Sequence, residues 1–96
     1  MPPSIPQSPT FASEHSAGPL TVLLADDHRE LRDLLQRWIS ETGSAVTAVS
    51  SGRDAIQCLH RQIFDVVVTD MNMPDGDGLE VITEIKRSRI PTRILA

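Results

Sequence analysis

Phe64-Asp65-Val66-Val67-Val68-Thr69-Asp70-Met71-Asn72-Met73-Pro74-Asp75-Gly76-Asp77-Gly78 is the stretch on which the fold turns. Its first half, Phe64 to Thr69, is a continuous β-branched run with apolar residues on both faces. Such a strand is covered above and below, as in a parallel sheet with helices on either side. The run stops at Asp70, and a loop rich in proline and glycine follows. Downstream, Leu79, Ile82 and Ile85 lie at helical spacing and predict a helix from about Leu79 to Arg87. Pro91 breaks the chain again, and Arg93-Ile94-Leu95-Ala96 opens a further strand.

Upstream the same alternation holds. Arg53 to Gln62 carries Ala55, Ile56 and Leu59 at helical spacing, after the turn residues Ser50-Ser51-Gly52. Ala45 to Val49 reads as a short strand. Leu31, Leu34, Leu35, Trp38 and Ile39 form one apolar stripe, which makes Trp38 a core residue; Arg29, Asp33, Gln36 and Arg37 are left for solvent. Asp27 or His28 stands at the cap position of that helix, and Gly43 where it should stop. Leu20 to Ala25 is an apolar run of strand formers ended by Asp26-Asp27. The order β-α-β-α-β-α-β predicts an α/β domain with a doubly wound parallel sheet and right-handed crossovers.

The 96 residues leave room for one domain. Residues 1–19 hold five of the seven prolines and little to bury, so they are expected to be a disordered lead-in, with residues 20–96 folding. A net charge of −4 gives no basic footprint for nucleic acid. No apolar run approaches the ~20 residues that span a bilayer, and the amino end lacks a secretory pattern. Cys58 is the single cysteine, which excludes an internal disulfide and fits a reducing, cytoplasmic setting.

Asp26 and Asp27 close the first strand and Asp70 closes the third. Ligands of open parallel sheets gather beyond the carboxyl ends of the strands. If these two strands are neighbours, three carboxylates share one space, and their repulsion calls for a compensating charge. A hard divalent cation is the usual compensation, and carboxylates with a backbone carbonyl, such as that of Asn72, suit octahedral Mg²⁺. Taken singly, each residue has a plainer role. An acidic pair after a strand serves equally well as a helix cap, and a lone Asp as the first polar residue of a loop. Asp75 and Asp77 read as turn residues, His28 as a solvent or helix-start residue, and Cys58 as packing. His15 and His60 have no metal-ligand spacing. The conjunction of acidic pair, strand-end aspartate and Pro/Gly loop in one topology favours the site.

At Val22-Leu23-Leu24-Ala25-Asp26-Asp27, at Ser51-Gly52-Arg53-Asp54-Ala55 and at Asp70-Met71-Asn72-Met73-Pro74-Asp75-Gly76-Asp77-Gly78, the chain resembles the receiver domain of bacterial two-component response regulators. The resemblance runs from about Leu20 to Ala96. It implies a flavodoxin-like fold in which Asp70 is the nucleophile, phosphorylated by a sensor histidine kinase or a histidine phosphotransfer protein. It further implies that Asp27 binds Mg²⁺ directly, Asp26 largely through water, and Asn72 through its backbone carbonyl. The chain itself would be no enzyme beyond assisting its own phosphoryl transfer and dephosphorylation.

The family's Thr or Ser after the fourth strand and Lys after the fifth have no counterpart here: Ala96 falls within the fourth strand, and the only lysine, Lys86, falls on the third helix. The expected fold is therefore an incomplete receiver lacking the fifth strand and last two helices. It would be a fragment of a longer regulator, a truncated product, or a domain completed by another chain. An uncovered sheet face would cost it much of the roughly 5–15 kcal/mol that a normal domain retains. Two rival functions follow: a receiver-like interaction module that is not phosphorylated, and a Mg²⁺-dependent phosphatase with an aspartyl nucleophile. The phosphatase pattern wants an Asp two residues after the nucleophile, where Asn72 stands. A calcium loop counted from Asp70 fails, with Pro74 fifth, Asp75 sixth and Val81 twelfth.

Overall fold

The computed structural model describes residues 19–73 and 77–96. Most of the expected lead-in, and the turn residues Pro74, Asp75 and Gly76, lie outside the described residues. Seven elements follow in strict alternation: β1 (Thr21–Ala25), α1 (Arg29–Ser40), β2 (Ala45–Val49), α2 (Gly52–Arg61), β3 (Val66–Thr69), α3 (Gly78–Arg87) and β4 (Arg93–Leu95). The strands form one parallel sheet in the order β2-β1-β3-β4. The chain steps outward from β1 to β2, then crosses back over β1 to reach β3. Right-handed crossovers in opposite directions put their helices on opposite faces, which makes the sheet doubly wound.

Side-chain alternation shows the two layers. Leu23, Ala25 and Val67 join Ala55 and Leu59 of α2 and Val81 and Ile85 of α3 in a single core, completed by Phe64 and Met73. Val22 and Leu24, one residue out of phase, are buried on the α1 face. Register places Ala25 between Val49 and Thr69, so β1, β2 and β3 end level with one another.

Several boundaries differ from the sequence reading. β3 begins at Val66, two residues later than the apolar run suggests. Phe64 is instead a buried anchor at 1% exposure. The carboxylate of Asp65 accepts the Thr21 N–H at 2.8 Å, tying the starts of β1 and β3 together. Helix α2 starts at Gly52 because Ser51 caps it, its hydroxyl accepting the Asp54 N–H at 3.1 Å. Asp77, expected in the turn, is the N-cap of α3 and accepts the Glu80 N–H at 3.0 Å. Gly43, with φ at +91°, takes the left-handed conformation just beyond α1, as its position predicted.

The expectation for Trp38 is corrected. It is 57% exposed, Leu31 is 46% exposed, and no residue of α1 is fully buried. The stripe is real, but α1 packs mainly over β2 and β1, and the β3–β4 side of that face is a groove.

Candidate functional site

The β1–β3 ladder builds the site. Asp70 N–H donates to Ala25 O at 2.9 Å and Asp26 N–H to Val49 O at 3.1 Å, so both backbones continue the sheet by one residue. That continuation brings the end of β1 and the end of β3 side by side. One ligand atom from each of Asp26, Asp27, His28 and Asp70 lies within 4.8 Å of the others. The three aspartates expected to converge do so. Asn72 lies at their rim, its N–H donating to Asp70 Oδ1 at 3.1 Å.

The burial of each carboxylate differs. Asp26 is buried at 5% exposure, with Oδ1 accepting the His28 N–H at 2.8 Å. Its backbone carbonyl accepts from the Arg32 guanidinium at 2.9 Å. Asp27 and Asp70 keep partly open side chains, at 28% and 24%. Asp27 Oδ1 is nevertheless shut off from solvent and accepts no hydrogen bond, although His28 Nδ1 lies 3.2 Å away. A buried carboxylate oxygen left unpaired is costly, and Asp27 Oδ1 keeps its capacity to accept a donor or a cation.

His28, read from sequence as a solvent or helix-start residue, is both the N-cap of α1 and a member of this cluster. It makes no side-chain cap bond. Its Nδ1 lies 3.2 Å from Asp26 Oδ1 and 3.6 Å from Asp70 Oδ2. The hydrogen bond with Asp26, then the charge of Asp27, hold the imidazole more basic than an ordinary histidine. The signal available beforehand was adjacency: a ring one residue after an acidic pair at a strand end can fold back over it.

Gly78 is a second residue whose role the sequence did not show. A Cβ there would lie 2.5 Å from Asp70 O and 2.9 Å from Met71 Cα, and Gly78 N–H reaches Met71 O at 3.4 Å. The glycine lets the start of α3 close directly on the backbone that carries Asp70. Thr69, buried at 3%, adds a hydroxyl bond to Asp70 O at 3.0 Å. Met73, left unassigned in the loop, packs into the core at 7% exposure and anchors its near end.

A level-ended parallel sheet with acidic residues at the tips of two adjacent strands forms an acidic site at the switch point where open α/β sheets bind their ligands. The family model for the response regulator receiver domain matches residues 22–96, and the chain belongs to that family. It is 38% identical over 68 residues to the transcriptional regulatory protein TctD of Salmonella typhimurium, covering 71% of this chain and 30% of TctD. It is 40% identical over 67 residues to the virulence sensor protein BvgS of Bordetella bronchiseptica, covering 70% of this chain and 5% of BvgS. Among solved structures it resembles TrrA of Thermotoga maritima in complex with Mg²⁺ and BeF, with a TM-score of 0.74 and 29% identity over 78% of this chain and 65% of that one. It also resembles the receiver domain of a Pseudomonas aeruginosa sensor histidine kinase with magnesium in its active site cleft: TM-score 0.73, 25% identity, 82% of this chain and 68% of that one. The chain thus spans less than a third of these curated relatives.

Proposed function

We propose that this receiver domain accepts a phosphoryl group on Asp70, with Mg²⁺ bound by Asp27, Asp26, Asp70 and the backbone carbonyl of Asn72. The observation that carries the reading is Asp27 Oδ1, a buried anionic oxygen with no hydrogen-bond donor beside two further carboxylates. Hard oxygen donors in that number fit a small divalent cation. When bound, the ion supplies the positive charge that lets a carboxylate approach an anionic phosphoryl group.

The chain's own residues do the rest. Asn72 N–H holds Asp70 Oδ1, which fixes the carboxylate plane and turns Oδ2 toward the open side of the cluster, where the His28 ring lies at 3.6 Å. The Thr69 hydroxyl donates to the Asp70 carbonyl, and the missing Cβ of Gly78 lets the start of α3 pack closely behind it, which steadies the backbone that carries the nucleophile. Attack of Asp70 Oδ2 on phosphorus breaks the bond to the donor and forms an acyl phosphate, with the electron pair leaving on the donor. Water later cleaves that acyl phosphate. The partner is a sensor histidine kinase or a histidine phosphotransfer protein, in a phosphorelay of a bacterial cytoplasm, and the chain turns over no substrate of its own. Among the described residues no helix is long and apolar enough to cross a membrane.

The test is chemical. Incubation with a small phosphodonor and Mg²⁺ is expected to add one phosphoryl mass, removed by hydroxylamine and absent in Asp70→Asn. No adduct at any donor concentration, in a chain shown to be folded, would leave a receiver-like interaction module instead. Turnover of an aryl phosphate would revive the phosphatase alternative, which Asn72 at the second position after Asp70 disfavours.

A further inference from the structure

His28 is positioned unlike a helix cap. Its backbone is extended, with φ −86° and ψ 103°, and its N–H is tied to Asp26 Oδ1, yet the ring caps nothing. The ring turns back over the acidic cluster, although 68% of the side chain is exposed and solvent is open to it. There Nδ1 lies 3.2 Å from Asp26 Oδ1, 3.2 Å from Asp27 Oδ1 and 3.6 Å from Asp70 Oδ2.

These spacings have a meaning for coordination. Ligands about 2.1 Å from one ion sit roughly 3 Å apart along an octahedral edge. The ring nitrogen stands at nearly that distance from two carboxylate oxygens, one of which is the buried, unpaired Asp27 Oδ1. Imidazole is a borderline donor: it adds little for Mg²⁺, which is hard, only modestly more for Mn²⁺, and much for Ni²⁺ or Zn²⁺.

We infer that His28 Nδ1 is a specificity-determining ligand, which converts an all-oxygen Mg²⁺ site into a mixed nitrogen–oxygen site that prefers a first-row transition-metal ion. The inference rests on the divalent-cation site of the preceding reading. In the ion-free cluster Nδ1 donates its proton to Asp26 Oδ1; an entering cation would displace that proton to solvent, leaving the ring's remaining proton on Nε2 and the Nδ1 lone pair for the ion. The competing role for the ring is that of an internal counter-cation, which fills the cluster when no ion is present and swings out when one enters.

Calorimetric titration of the full chain with Mg²⁺ and with Ni²⁺ separates these roles. In His28→Ala the Ni²⁺ affinity is expected to fall about tenfold or more, while Mg²⁺ affinity changes by less than about threefold. Pulsed electron paramagnetic resonance on the Mn²⁺-loaded wild type should show coupling to an imidazole nitrogen that vanishes in His28→Ala. Circular dichroism confirms that the variant is folded, and His28→Gln, which keeps polarity without an imidazole, should match it. If both affinities rise or stay equal in His28→Ala and no nitrogen coupling is present, the ligand role is overturned while the oxygen site stands. If neither ion binds the wild type, or Asp27→Asn leaves both affinities intact, the cation site itself falls and the inference with it.

Discussion

On one face of the sheet, Leu23, Ala25 and Val67 lie under α2 and α3 at essentially zero exposure, with Phe64 closing the layer. On the other, Leu24 is buried, but Val22, Val66, Val68, Ile39 and Leu95 line a groove of about 480 Å³ together with Leu20. The same four strands supply both faces, so the contrast comes from helix coverage and not from strand composition. Its lesson concerns the site. Asp70 is followed by Met73 and Gly78, which anchor the loop and α3 to the closed face, whereas the groove touches none of the acidic cluster. The chemistry is hung from the well-packed side.

Adjacent residues of β3 offer the largest break of that contrast. Val67→Asp places an unpaired carboxylate in the closed core and is expected to cost about 4 kcal/mol or more, enough to abolish a cooperative urea transition. Val68→Asp, half-open to the groove, should retain a measurable transition. Equal loss in both would remove the distinction between the faces. Phe64→Ala, on the closed side, should cost about 3–5 kcal/mol in urea unfolding. Trp38→Ala, on the open side, should stay within about 0.5 kcal/mol, as expected for an exposed residue.

Gly78→Ala probes the link between closed face and site. Its Cβ meets backbone at 2.5 Å, which has no flexible end to yield, so about 1–3 kcal/mol of stability should be lost. Phosphoryl uptake at Asp70 should slow further than the folded fraction explains, because the Asp70 carbonyl must move. Uptake that tracks the folded fraction alone would show that the close approach serves packing only.

The smallest effect expected lies between α2 and α3, on the outside of the closed face. Glu84 accepts hydrogen bonds from Arg87, Ser88 at 2.9 Å and His60 at 2.7 Å, and these hold its carboxyl down at about 2, below the usual 4.5. A carboxyl whose folded pKa is depressed contributes stability that is fully present above pH 4.5. That contribution is lost as pH falls toward about 2. The difference in urea midpoint between wild type and Glu84→Gln should therefore be constant near neutrality and shrink from pH 4.5 downward. A gap that persists at pH 2 would place the contribution elsewhere. His60, which has no metal spacing in sequence, is thus a tie between helices.

Much of this was legible beforehand, for reasons particular residues make plain. The β-branched run at Val66–Thr69 admits only a strand covered on both sides, and glycine and proline punctuation sets the alternation that fixes sheet type. Trp38 misled because a periodic stripe shows which side of a helix is apolar and not whether anything lies opposite it. Asp77 misled because the same residue chemistry serves turns and caps, and only the direction of the following backbone distinguishes them.

From the sequence alone came the α/β order, the parallel sheet, and the candidacy of Asp26, Asp27 and Asp70, because strand length, helix period and strand-end polarity are local properties of the chain. Tertiary structure alone decided that β1 and β3 are neighbours with level ends, that His28 folds back over the carboxylates, and that Gly78 abuts the Asp70 carbonyl. Each of those is a contact between segments set by strand order and register, and register is fixed by packing across the whole sheet.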